Sequence, residues 1–172
     1  MKLLSRAFHA ARYFAVGLRG PRKSARVLIV ENGKLLVFLR KRFSRVTGEW
    51  IEYYSIPGGG IDKGEQAEHA AIRELREEMG VAIALDGLVA HRIGKSFEHF
   101  VYHGHIDSGR PRLMADSEEA SYMSEKNQYI VMWVDVASLT VENLRYYSDY
   151  LELIQRLSAG EVPQEVLRID VR

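Results

Sequence analysis

Two short apolar runs near the start of the chain are separated by a turn signal. The runs lie on either side of Asn32-Gly33, within residues 25–41. Asn-Gly suits the two-residue turn of a β-hairpin, and branched and aromatic side chains favour strands. This segment therefore predicts two paired strands.

The period of the apolar positions changes after a glycine-rich turn. Residues 40–50 are polar and basic and are expected to form a loop, whereas residues 51–56 have strand character. Pro57 and three glycines then end that strand. Apolar residues recur at helical spacing from Glu65 to Met79, and Gly80 follows where a C-cap glycine is common. The pattern predicts a helix over residues 65–79.

The second half of the chain repeats the order of strands followed by a helix. The sequence predicts a strand pair at residues 88–94 and 97–106, followed by a polar loop at 107–127. A last strand at 128–136, an amphipathic helix at 141–157 and a polar tail at 161–172 complete the order. A polar loop of about twenty residues is usually kept for a function. Strands and helices in this order predict a mixed α/β or α+β domain.

Composition bounds the class of protein. The chain has 172 residues, 47% hydrophobic and 27% charged, and a net charge of +1, which is ordinary for one globular domain. We expect that domain to span residues 25–160. Residues 1–24 contain no acid, so they form a basic surface arm or helix, or else a transit peptide or an interfacial helix.

Cysteine and long apolar stretches are both absent from the sequence. Zero cysteines exclude disulfides, thiolate metal sites and a cysteine nucleophile, and they fit a reducing compartment such as the cytoplasm. No run of 18 or more apolar residues occurs, so no membrane span is predicted.

Three glutamates form an unfavourable cluster on the predicted helix. Glu74, Glu77 and Glu78 stand at i, i+3 and i+4, where like charges weaken a helix by a few tenths of a kcal/mol per pair. Either they point separately into water or a cation sits among them. Ala67 and Ala70 fall on the same face and leave open space beside the carboxylates. The preceding glycines expose backbone groups at close range, which favours the cation.

This stretch resembles the Nudix box of the Nudix hydrolase superfamily. Every fixed position of the motif is matched in this sequence, by Gly59, Glu65, the tripeptide 73–75, the pair 77–78 and Gly80-Val81. From average residue usage, a chance match in this chain is on the order of 10⁻⁷. The resemblance implies the α/β/α sandwich of that family, a mixed β-sheet flanked by helices in the α+β class. It does not identify a subfamily.

The resemblance also implies a reaction and its metal ligands. Family members bind Mg²⁺ or Mn²⁺ and hydrolyse a pyrophosphate bond in a nucleoside diphosphate linked to another group. The expected ligands are Glu74, Glu77, Glu78 and the carbonyl of Gly58, because Mg²⁺ prefers hard oxygen ligands. Arg73 corresponds to the family arginine that holds the box carboxylates. Glu65 is expected to brace the loop and helix or to reach the metal through water.

The general base has two candidate origins. Family members use either a box glutamate, here Glu74, or an acid from the loop before the last strand. That loop offers four acids, of which Glu125 is best placed by spacing; the others are Asp116, Glu118 and Glu119. We therefore predict Glu125 as the loop acid.

Basic and aromatic residues before the box are candidate substrate contacts. Arg40 and Arg42 either bind phosphates, since arginine does so bidentately, or belong to a solvated loop. Tyr54 is a candidate for stacking on a base, although aromatic residues in strands more often belong to the core. Three histidines, His99, His103 and His105, fall on the same face of a predicted strand that lacks an obvious acidic partner for them. They are therefore expected to be ordinary surface or core residues.

Several alternatives stay open at this point. A small phosphoanhydride substrate is expected and nucleic acid is not, but a non-catalytic nucleotide sensor and an RNA 5′-end pyrophosphohydrolase are the alternatives. The isomerase branch of the superfamily needs a cysteine, which this chain lacks. The basic N-terminal arm could pack on a second subunit, so a homodimer is possible.

Overall fold

The computed structural model describes residues 20–171. Most of the predicted basic arm, residues 1–19, lies outside the described residues. The helices and strands are, in chain order, β1 Arg22–Glu31, β2 Lys34–Phe43, β3 Trp50–Ser55, α1 Ala67–Met79, β4 Ala82–Ile93, β5 Phe97–Ser108, α2 Glu118–Ser121, β6 Asn127–Asp135, α3 Val141–Leu144, α4 Leu151–Ser158 and β7 Leu167–Asp170. Two 3-10 turns lie at Val136–Ser138 and Arg145–Tyr150.

The first hairpin has the predicted turn. Asn32 and Gly33 both have positive φ, 50° and 74°, as a tight two-residue hairpin turn requires. The following strand is longer than predicted, because β2 continues through residues 40–43, which were expected to form a loop. Those residues pair with β3 on one side and β6 on the other, and this pairing satisfies their backbone groups despite their basic side chains.

Seven strands within residues 20–171 form one mixed sheet, in which β1 and β2 separate from each other beyond their hairpin turn. β1 runs parallel to β5, β5 is antiparallel to β4, and β4 is parallel to β7. β2 is antiparallel to both β3 and β6. β1 and β2 pair only beside their turn, at Val30–Leu35 and Glu31–Lys34. The first half of β1 is therefore free to pair with another segment, and the glycine-rich loop takes that place.

Two apolar cores lie on opposite faces of the sheet. Side chains alternate along β1, so Val27 and Ile29 pack with the buried face of α1 while Leu28 packs with α3 and α4. Helix α1 contributes Leu75 and Met79, both fully buried, to the core that contains Val27 and Ile29. The predicted α+β fold, a mixed sheet flanked by helices, is confirmed.

The C-terminal region differs from its prediction in two respects. The single helix expected over residues 141–157 is divided into α3, a 3-10 turn and α4. The division falls at Arg145, whose φ of 39° no α-helix allows. In addition, Leu167–Asp170 of the expected polar tail forms β7 and adds a parallel strand beside β4.

Bilayer-spanning helices are not found in residues 20–171. Each helix of that region is too short or too polar to cross a membrane.

Candidate active site

The glycine-rich loop runs along the first half of β1, on the edge that β2 leaves open and opposite the edge that pairs with β5. Ala25 N–H donates to the Gly59 carbonyl at 3.0 Å, and Val27 N–H donates to the Pro57 carbonyl at 3.1 Å. Gly58 has a φ of 118°, and a Cβ there would collide with the Ala25 carbonyl oxygen. Only glycine fits this close approach without strain. The loop is thereby fixed beside α1, where the Gly58 N–H reaches Glu78 and the Gly60 carbonyl accepts from Arg73.

Helix α1 carries the glutamates of the box. It begins at Ala67, two residues later than predicted, and ends where Gly80 adopts a φ of 68° and donates its N–H to the Arg76 carbonyl. Glu78 is buried with 4% exposure, whereas the Glu77 side chain is 53% exposed. A Cβ at Gly59 would overlap the carboxylate of Glu74. The loop therefore touches the glutamates directly.

Arg73 holds the box together. Its Nε and Nη2 donate to the two carboxylate oxygens of Glu65, at 2.8 and 2.9 Å. Its Nη1 donates to Glu74 at 2.9 Å and to Glu77 at 3.2 Å, and Nη2 also reaches the Gly60 carbonyl at 3.0 Å. One guanidinium thus fixes three carboxylates and the loop.

The bidentate pair changes the titration of both partners. Hydrogen bonds from Arg73 hold the pKa of Glu65 down to about 2, although partial burial opposes this. The same pair raises the pKa of Arg73 above its usual value. Glu65 is therefore an ionised brace at neutral pH.

A second arginine contacts the loop from β1. The Nη1 of Arg26 donates to the carbonyls of Gly58 and of Ile56, the latter at 3.1 Å. The N–H of Gly58 donates to Glu78 at 2.8 Å. Both backbone polar groups of this glycine are therefore engaged by charged side chains.

Three carboxylates at the site are held in an environment that disfavours their charge. Burial raises the pKa of Glu74, of Glu78 and of Glu119, and the charge of Glu119 raises that of Glu78 further. A divalent cation would offset this cost, and carboxylate and peptide oxygens are the ligands that Mg²⁺ and Mn²⁺ take. The donor set therefore fits the predicted metal.

The ligands are not drawn together into a finished cluster. Within residues 20–171, no three acidic or histidine side chains converge as a metal centre. The reason is visible in the contacts: Arg73 engages Glu74 and Glu77, and Arg26 engages the Gly58 carbonyl. Arg73 contacts only one carboxylate oxygen of Glu74 and one of Glu77, so each side chain has a second oxygen that a cation could take.

A cavity of about 490 Å³ opens over the glycine loop and the glutamates of α1. We call it the box cavity. Its walls come from β1, β2, β3, β6, the α2 region and the 3-10 turn after α3, through Arg22, Arg26, Phe38, Arg40, Tyr53, Ser55, Ser117, Glu118, Glu119, Tyr122, Tyr129, Tyr146 and Tyr147. The cavity therefore faces carboxylates on one side and arginines with aromatic rings on the other.

The aromatic wall is ordered by ring contacts. The Arg40 guanidinium lies 3.4 Å from the centre of the Tyr129 ring, and its Nη2 donates to Asn127 at 3.2 Å. Tyr53 and Tyr146 meet edge to face with ring centres 5.3 Å apart. Such a wall offers flat surfaces for stacking next to a positive charge.

Comparison with known proteins identifies the family. A family model described as the NUDIX domain matches residues 20–157, most of the chain. The chain belongs to the NUDIX family. The family predicted from the box is thereby confirmed.

Individual relatives differ in the activities for which they are named. A Bacillus subtilis protein provisionally named an 8-oxo-dGTP diphosphatase is 31% identical over 97 residues, which are 55% of this chain and 58% of that protein. An RNA pyrophosphohydrolase of Pelagibacter ubique is 25% identical over 145 residues, 76% of this chain and 89% of that protein. A NUDIX hydrolase structure from Nitrosomonas europaea has a TM-score of 0.60 at 14% identity, covering 88% of this chain and 80% of that one.

Three of the predicted site residues lie away from the box cavity. Arg42 is exposed near the end of β2 and does not line the cavity, although Arg40 does. Tyr54 packs toward the core beside α3 and α4, because neighbours in a strand point to opposite faces and Tyr53 takes the cavity side. Glu125 is exposed in the turn closed by the Ser124–Asn127 bridge.

The loop acids that do reach the cavity are Glu118 and Glu119. Ser117 caps the short helix α2 by accepting the Ala120 N–H at 3.1 Å, and this turn directs the two glutamates toward the box. Spacing along the chain, from which Glu125 is predicted, does not account for this turn. A Ser followed by two glutamates is a helix-start signal that was present in the sequence.

Sequence reasoning also missed the cavity residues from β1, β6 and the 3-10 turn. Arg26 had a usable signal, because a charged residue inside an apolar strand needs a buried partner. Tyr129 and Tyr146 had none, since aromatic residues in strands and amphipathic helices are common in ordinary cores.

Proposed function

We propose that this Nudix-family chain hydrolyses a phosphoanhydride bond in a nucleoside diphosphate derivative with the help of Mg²⁺ or Mn²⁺. The observation that carries the proposal is the Arg73 network, which gathers Glu65, Glu74 and Glu77 beside the glycine loop at the floor of the box cavity. An acidic face that was merely solvated would not need a guanidinium and a glycine turn built around it.

The box residues have separate tasks in this proposal. Glu74, Glu77, Glu78 and the Gly58 carbonyl would hold the metal, while Arg73 is a positioning residue. When bound, the divalent metal neutralises phosphate charge and orients a water molecule. The protein then has little covalent work, because phosphoryl chemistry of this kind depends on positioning and electrostatics.

We assign Glu119 as the loop acid that accepts a proton from the attacking water, in place of Glu125. Its carboxylate lines the box cavity and lies near Glu78, which a base must do to reach a water held at the box. Glu118 also lines the cavity and is the neighbouring alternative.

Substrate contacts follow from the opposite wall. Arg22 and Arg40 line the cavity and would face the phosphates, and Tyr53, Tyr129 and Tyr146 supply rings on which a base would stack. This arrangement supports a nucleotide rather than a simple inorganic diphosphate.

A substrate panel tests the proposal. Nucleoside triphosphates, ADP-ribose, dinucleoside polyphosphates and 5′-triphosphorylated RNA are each incubated with the protein and Mg²⁺ or Mn²⁺, with EDTA as the control, and released phosphate or nucleotide is measured. We expect metal-dependent turnover of at least one member. Tight nucleotide binding without turnover of any member would instead support a sensor.

Compartment and oligomeric state belong to the same proposal. We propose a cytoplasmic protein, in keeping with zero cysteines, and a homodimer as a possible assembly. Cell fractionation tests the first. Light scattering after size exclusion tests the second, where a mass of 19.7 kDa would indicate a monomer.

A further inference from the structure

A second cavity of about 440 Å³ lies beside the box cavity. We call it the side cavity. Tyr146 and Tyr147 line both cavities, so the two cavities adjoin at these residues. A molecule seated over the box would reach the side cavity if it extended past these tyrosines.

The side cavity carries an excess of positive charge. Arg92 lies in its wall with Nε 2.9 Å from the Asp149 carboxylate, which is the one acid among the described residues that line the cavity. The Arg145 guanidinium lies 5.3 Å from the centre of the Tyr146 ring and has no carboxylate partner within residues 20–171. Arg92 is thus neutralised, and Arg145 is the charge left over.

His99 adds a buried polar group to the side cavity. It lines the cavity, and its Nδ1 is buried without a hydrogen-bond partner in the described structure. Burial, together with the nearby charges of Arg26 and Arg92, lowers the pKa of His99 to about 4. The imidazole is therefore neutral at physiological pH and leaves a polar nitrogen in a cationic pocket.

The backbone at Arg145 is strained where it presents this side chain. A φ of 39° with a ψ of −81° is a rare and energetically unfavourable conformation for a residue other than glycine. Leu144 and Tyr147, on either side, are buried and fix the chain in place. The strain breaks the helix expected here and leaves Arg145 at the cavity, as happens at functional sites.

We propose that the side cavity binds a phosphate group of the substrate other than the pyrophosphate that is cleaved, with Arg145 as its main ligand. This inference rests on the proposed function, because it assumes a nucleotide in the box cavity. The group would be a sugar phosphate, either a monoester in a small nucleotide or a diester in an oligonucleotide. An arginine donating to a phosphate forms charge-assisted, bidentate hydrogen bonds.

Binding measurements test the proposal without requiring turnover. The dissociation constants of adenosine and guanosine 5′-monophosphates are compared with those of the matching 3′,5′-bisphosphates by calorimetry, and the 5′-phosphorylated dinucleotides pApA and pGpG supply the diester. We expect a second phosphate to tighten binding by about tenfold for at least one base, the effect of one charge-assisted hydrogen bond. A gain with the bisphosphate indicates a small nucleotide, and a gain with the dinucleotide indicates an oligonucleotide.

Two variants locate the effect. Arg145→Gln is expected to abolish the gain, whereas Arg110→Gln, a matched change at an exposed arginine outside both cavities, is expected to keep it. Equal binding of all probes, binding of none, or an undiminished gain in Arg145→Gln overturns the proposal. The failure differs from that of the proposed function, since turnover of the substrate panel by the unchanged protein is a separate readout.

Discussion

Arg26 of β1 donates a hydrogen bond to the carbonyl of Gly58, the peptide oxygen that the sequence assigns to a metal. The N–H of the same glycine donates to the buried carboxylate of Glu78. A guanidinium on the oxygen and a carboxyl group on the nitrogen therefore hold this glycine at a fixed place over the box. A carbonyl has two lone pairs, so the arginine and a metal can share it.

This relationship gives Arg26 a role in stability. In Arg26→Gln the carbonyls of Gly58 and Ile56 lose their charged donor, and Glu78 loses a nearby positive charge. We expect the free energy of unfolding in urea to fall by about 1–3 kcal/mol, the cost of leaving buried polar groups unpaired. Arg110→Gln serves as the control and should change it by less than about 0.5 kcal/mol. Equal values for the two variants would contradict this role.

Gly59→Ala should separate stability from activity. The added Cβ would overlap the end of the Glu74 side chain, which is flexible and can move, so the fold should tolerate it. Glu74 would then be displaced, and a shift of about 1 Å can cost roughly 100-fold in rate. We expect a near-normal melting temperature with roughly 100-fold lower turnover. Gly20→Ala is the control, because no atom of residues 22–171 lies within 4 Å of the new Cβ. A normal rate would show that Glu74 is not needed in place.

Glu78→Gln should stabilise the protein when metal is removed. Burial raises the pKa of Glu78 above its unfolded value, so its contribution to stability is greatest below pH 4.5 and is lost as pH rises through the folded value. Glutamine keeps the acceptor for Gly58 N–H without the charge. In EDTA at pH 7.5 we expect a higher melting temperature than for the unchanged protein, with the difference shrinking toward pH 4.5.

The same variant should respond less to metal. Mg²⁺ or Mn²⁺ stabilises a folded protein by mass action when it binds only that state. The unchanged protein should therefore gain melting temperature when metal replaces EDTA, and Glu78→Gln should gain less. A lower melting temperature for Glu78→Gln in EDTA, with the same metal response, would contradict both expectations.

Glu65 should give stability the opposite pH dependence. Its pKa in the folded state is about 2, below the unfolded value of 4.5, because Arg73 donates to both carboxylate oxygens. Its contribution is therefore present above pH 4.5 and is lost as pH falls through about 2. Urea unfolding of Glu65→Gln and of the unchanged protein should differ at pH 6–7 and converge toward pH 2. A difference that does not change with pH would contradict the ion pair.

The box and the first hairpin were predictable because their signals are local. The turn at Asn32-Gly33, the helix ended by Gly80 and the spacing of the glutamates each depend on residues within a few positions of one another. The break at Arg145 was not predictable, because its sequence favours a continuous helix and packing overrides that preference.

Cross-strand contacts were also beyond the reach of local patterns. His103 and His105 seemed to lack an acidic partner, yet each Nδ1 lies 3.0 Å from the carboxylate of Asp86. A register shift between Leu85 and Gly87 places Asp86 beside them. A bulge changes which residues face each other, and its position cannot be read from alternation alone.

The most direct test of metal-dependent hydrolysis is the turnover number of Glu77→Gln on whichever panel substrate the unchanged protein cleaves. Glu77 is half-exposed and accepts a hydrogen bond from Arg73 at the protein surface, so the fold should survive its change. We expect turnover at saturating Mg²⁺ or Mn²⁺ to fall by a factor of about 100 or more, and Glu152→Gln, an exposed glutamate on α4, to keep full activity. An unchanged turnover number in Glu77→Gln would contradict the assignment of the box as the catalytic metal site.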